Sequence, residues 1–110
     1  MNVDFKGYDE NVVTFIADDT VEAGKFVVMN ENYSVTAASA GDEIYGYCIG
    51  ARDGYAAIQL SGYVEAPVSG DVALGLTGIA AASATTVAAS ETASAHKVIF
   101  VGKDVIGFIM

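Results

Sequence analysis

The feature that most constrains this chain is Asp53-Gly54, set between two apolar runs, Ile44–Ile49 and Tyr55–Leu60. Asp-Gly supplies the positive φ that a two-residue hairpin turn needs, and the flanking runs are rich in Ile and Tyr. The spacing predicts a β-hairpin with Ile44, Gly46, Cys48 and Gly50 on one face. Tyr45, Tyr47 and Ile49 then fall on the other. The chain resumes after Ser61-Gly62 as Tyr63–Ala66, and Pro67 ends its capacity to donate ladder bonds. A three-strand meander is expected here.

The rest of the chain repeats this texture of short β-rich runs and turn residues. Val12–Ile16, Phe26–Met29, Ser34–Ala37, Lys97–Val101 and Val105–Ile109 read as strands, the last two as a second hairpin. Eight to eleven short antiparallel strands indicate an all-β fold, a small barrel or sandwich. Val27, Ile44, Ile58, Leu60, Ile99 and Ile106 are the expected core. A weak internal duplication is also visible. Residues 68–74 match 22–28 around Gly70 and Gly24, and residues 104–109 match 43–49 around Gly107 and Gly46. Ala80–Ala95, rich in Ala, Ser and Thr, has small side chains with little to bury and reads as an exposed excursion. At 110 residues one domain is expected, with residues 1–19 as an arm and first strand and 20–110 as the β domain.

Composition narrows the function. Fourteen acids against five bases give a net charge of −9, which opposes binding to nucleic acid or to anionic membranes. Charged residues are only 17% while hydrophobic ones are 53%, so apolar surface is left over for a subunit interface. The first ten residues lack the pattern of a secretory signal, and synthesis and folding in a cytoplasm are expected. No run is long and apolar enough for a membrane-spanning helix. Cys48, the single cysteine, reads as a small buried hydrophobe.

Catalytic sets lack parts. His96 is the sole histidine and reads as a solvated loop residue; no Gly-x-Ser-x-Gly is present. Gly24-Lys25 is not a phosphate loop, because Phe26 stands where Ser or Thr is required. Gly75-Leu-Thr-Gly78 lacks the dinucleotide-binding frame. The acidic pairs Asp9-Glu10, Asp18-Asp19 and Asp42-Glu43 match no calcium-loop ladder and read as solvated turn residues. No enzyme activity, metal or cofactor is expected.

Several stretches carry a resemblance. Val21–Val28, Ala56–Pro67, Gly70-Asp71-Val-Ala73 and Val105–Ile109 resemble the capsid decoration, or head cement, proteins of tailed bacteriophages. The shared motifs are a glycine turn into a Val-rich strand, a Gly–aromatic–Val–Glu–x–Pro strand end, a Gly-Asp start to the second half and a terminal Ile-Gly-aromatic strand. The likeness covers roughly residues 20–110 and departs in the Ala/Ser/Thr stretch. It implies a structural virion protein, often a trimer, bound to the major capsid protein on the outer capsid surface. A β-sandwich binding module, such as a carbohydrate-binding head-fibre or adhesin domain, is the competing reading. It would need Tyr45, Tyr47 and Tyr63 as an exposed aromatic platform. In the N-terminal arm, Val3, Phe5 and Tyr8 are the candidate partner-binding residues: the arm either adds to a strand edge of a neighbouring subunit or of the capsid, or caps this chain's own barrel.

Overall fold

The computed structural model describes residues 11–110. Ten strands account for the regular structure, and no helix occurs among the described residues. The first five are β1 (Asn11–Ala17), β2 (Phe26–Glu31), β3 (Ser34–Ala37), β4 (Gly46–Arg52) and β5 (Tyr55–Ser61). They close a small barrel in the order β1-β3-β2-β4-β5. The remaining five are β6 (Tyr63–Pro67), β7 (Gly75–Ala81), β8 (Val87–Ala89), β9 (Ala95–Val101) and β10 (Val105–Ile109), in a sheet ordered β6-β10-β9-β7-β8. β1 pairs with both β3 and β5, so a cut after residue 19 would open the barrel.

The expected hairpin forms. Asp53 and Gly54 both have positive φ, at 54° and 84°, the geometry of the turn that matches strand twist. The expected face assignment holds only to Cys48. Cys48 lies opposite Ile58, but Gly50 lies opposite Ala57, so Ile49 is an extra residue in a bulge and the faces exchange beyond it. The expected meander does not form. Gly62, at φ 98°, turns the chain out of the barrel, and β6 pairs with β10 in the other sheet. Gln59, buried on the strand before that corner, fixes it: its Nε2 donates to the carbonyls of Ser61 (3.0 Å) and Tyr63 (3.2 Å).

Two cores result. Val27, Val35, Cys48, Ala56 and Ile58 fill the barrel, with Phe15 and Leu60 packed at their margin. Val64, Ile79, Val87, Val98, Ile106 and Phe108 form the second core, joined by Phe26 from β2. Successive β2 residues point opposite ways. Val27 therefore enters the barrel while Phe26 leaves it for the other core, and both are fully buried. Of the expected core, Val27, Ile58 and Ile106 are fully buried, and Ile44 and Leu60 are half-buried. Ile99 is exposed, because a bulge between Val98 and Phe100 removes it from the alternation. The Ala/Ser/Thr stretch is no excursion: Ala80, Ala81 and Val87 are buried, small side chains allowing close approach of the neighbouring backbone.

The duplication is present in topology, in a frame the sequence matches miss. Advancing each barrel strand by five places reproduces the order of the second sheet. The parallel pair β1–β3, with Ala17 opposite Val35, is answered by a parallel bridge of Val68 to Val87, which brings the sheet's ends together. The Cys48–Ile58 and Gly50–Ala57 pairs reappear fifty residues later as Val98–Phe108 and Phe100–Gly107, bulge included. Gly46 and Gly107, aligned by sequence, instead occupy non-equivalent strands. They share a local cause: a methyl group at either would overlap a neighbour, Ile58 at one and the Tyr63 ring at the other.

Truncating Ile58 or Ile106 to Ala should cost about 2–4 kcal/mol in denaturant unfolding. Ile99→Ala, on the bulge, should cost well under ~1 kcal/mol. Equal losses at all three positions would refute the bulge assignment. Gly107→Ala should destabilise by about 1–3 kcal/mol through overpacking, and less in a Tyr63→Ala background, where the obstructing ring is gone.

Candidate interaction surface

Several of the residues singled out for chemistry are engaged in the structure. His96 sits on β9 and not in a solvated loop. It is half-buried, its ring meets Phe108 edge-on at 5.6 Å, and Nδ1 lies 3.3 Å from the carbonyl of Ile109. Cys48 is fully buried, and burial pushes its thiol pKa up, so it is a poor nucleophile. Asp18 accepts from the Thr20 hydroxyl and from the Thr20 amide at 3.0 Å, and the hydroxyl above all holds its carboxyl below the usual range. Asp42 accepts from the Ser39 amide at 2.9 Å. Glu43 accepts from the Ser94 amide at 2.6 Å, and that bond likewise lowers its pKa. No group of three or more His, Cys, Asp or Glu that could hold a metal comes together among the described residues. Asp9 and Glu10 lie outside the described residues, as do Val3, Phe5 and Tyr8.

The three tyrosines do not make one platform. Tyr45 is exposed, with Phe15 edge-on at 6.4 Å. Tyr47 packs against the buried Phe26 ring at 5.1 Å. Tyr63 lies across Gly107 in the other sheet, and its hydroxyl donates to Glu65 at 2.7 Å.

Several large apolar side chains stay uncovered among the described residues. Ile99, Phe100 and Val101 are exposed in sequence at the end of β9. Leu74 and Leu76, at the start of β7, are 65% and 74% exposed. On the barrel, Ile16 and Tyr55 stand opposite each other on the outer face, both at least half exposed. Two of the open clefts bear on this surface. One of about 750 Å³ lies at the barrel's end among Phe15, Met29, Asn32, Tyr33 and Tyr45. The other, of about 470 Å³, lies beside Leu76, Gly78, Ser90 and Glu91. Tyr33, on the rim of the first, is 79% exposed at φ 63°, a conformation costly for a bulky side chain. The low charge of the composition anticipated an apolar surplus; which residues would carry it depends on the bulge at Ile99 and on the duplicated topology.

No family model matches the chain, and neither a curated protein nor a solved structure shows significant similarity to it.

Glu43 belongs to the loop after β3 and Ser94 to the loop after β8, so their bond ties the two halves together. A carboxyl whose folded pKa is depressed adds stability above its unfolded value and loses it as pH falls through the folded one. Stability should therefore decline as pH drops below about 4.3, the ordinary glutamate value. Glu43→Gln should flatten that part of the curve in thermal melts at graded pH; an unchanged slope would show that the bond contributes nothing.

Proposed function

We propose that this chain is a non-enzymatic structural protein of a phage virion, bound to the outer face of the capsid through the major capsid protein and stabilising the shell. The observation that carries the reading is apolar strand surface left open on a strongly acidic molecule, above all Ile99-Phe100-Val101. Large apolar patches on soluble proteins mark sites of protein contact. The resemblance to decoration proteins in Val21–Val28, Ala56–Pro67 and Val105–Ile109 gives the partner class. Each contact adds modest area, and symmetry repeats it over the shell, so multivalency turns weak local docking into a clamp. High negative charge keeps such a protein dispersed at high local concentration. The engagement of Tyr47 and Tyr63 in packing supports this reading over a sugar-binding module.

Cosedimentation with capsids of the source phage tests it. The protein should pellet with expanded shells, where its sites are exposed, and remain in the supernatant with unexpanded ones. Phe100→Asp should weaken that binding at least tenfold while leaving the circular dichroism spectrum unchanged. Failure to pellet with either form overturns the proposal, and retention on glycans would favour the binding module.

A further inference from the structure

The second sheet does not complete its own wall. The first half of β7, Gly75–Gly78, pairs with β9. Its second half leaves β9 and takes the loop after β3 in its place. The Gly41 amide donates to the Ala81 carbonyl at 2.8 Å, the Ala81 amide to the Asp42 carbonyl at 2.9 Å, and Glu43 bridges to Ala80. Phe26 enters at the same place. Its amide donates to the Ala84 carbonyl at 2.6 Å, and its ring stacks on Phe108 at 6.4 Å. The barrel thus gives two parts to its neighbour: an outward residue of β2 and the loop after β3.

Because the two halves share one strand order, each side of this joint has a counterpart, and both counterparts lie open among the described residues. Phe26 stands opposite Tyr47 on β4; in the second half Leu76 stands opposite Lys97, at the matching place on β9. Phe26 is fully buried and Leu76 is 74% exposed. The cleft beside Leu76 reaches Glu91, in the loop after β8 that corresponds to the loop after β3. On the receiving side, Ala81 opposite Val87 corresponds to Met29 opposite Val35. Ala84, in the turn after β7, corresponds to Asn32 in the turn after β2. Met29 and Asn32 line the 750 Å³ cleft. There β2 pairs with β4 only through Phe26 and Val27, so the far edge of Met29–Glu31 carries no strand among the described residues.

We propose that a second copy of this chain fills that cleft: Leu76 and the loop after β8 of one copy dock on the Met29–Asn32 edge of the next. The contact between chains repeats the contact within the chain. Such an interface is heterologous, and successive copies join head to tail, closing a ring if the rotation allows. Lys97, opposite Leu76, brings a cation to a cleft whose rim includes Glu31, in accord with electrostatic complementarity. This goes beyond capsid binding and requires no capsid.

Sedimentation of the full chain at high micromolar concentration should show a species larger than one chain, and Leu76→Asp should reduce it to single chains with an unchanged circular dichroism spectrum. Leu76→Cys and Asn32→Cys variants, mixed under oxidising conditions, should cross-link to each other, and neither should cross-link alone; buried Cys48 does not compete. A full chain that stays single at every concentration overturns the proposal. So does self-linking of Leu76→Cys without the other variant, which would mean a twofold contact. Since neither measurement contains capsids, failure here is distinguishable from failure of the capsid-binding reading.

Discussion

The structure depends on Phe26, whose backbone belongs to one core and whose side chain belongs to the other. Fully burying a phenylalanine is worth about 1.5–3 kcal/mol relative to leaving it exposed, and this one does so across the joint between two halves that are each small. A five-stranded barrel of fifty residues buries a modest fraction of its chain. Sharing a large apolar side chain, and a stretch of wall at Gly41–Glu43, gives the second half a core it could not enclose alone. Gln59 and Gly62 set the angle at which this sharing happens, the first by bonding both sides of the corner and the second by adopting a backbone conformation closed to most residues.

The hairpin at Asp53-Gly54 was legible because its turn chemistry is local: two residues decide the φ angles and the flanking runs decide the rest. Ile99 was not. A bulge shifts the alternation by one residue, and no local signal in Lys97–Val101 marks it; its twin at Ile49 shows that the device belongs to the fold. The Ala-rich stretch is hard to read for a different reason. Small side chains have little of their own to bury, yet here they let a neighbouring backbone approach, as Ala81 does with Gly41 and Asp42.

The duplication illustrates how topology outlasts sequence. Between Gly46–Leu60 and His96–Met110, only Ile49 and Ile99 coincide in identity, yet register, bulge and strand order agree. The local sequence matches fall on glycines instead, since Gly46 and Gly107 are constrained alike by a side chain crossing above them. For the interaction surface, composition indicated how much apolar area to expect. Its location depends on which face of each half the other half covers, and tertiary packing decides that.

The borrowed wall also sets an order of events on the ribosome. Chains emerge N-terminal end first, and domains tend to fold as they appear. The barrel's last strand ends at Ser61, so β1 through β5 can close before most of the second half has emerged. When β7 follows, the Gly41–Glu43 loop and Phe26 are already in place to receive it. The first half thus acts as a template for the second, and a stretch of backbone hydrogen-bonding groups finds its partner inside the same chain before it can find one elsewhere.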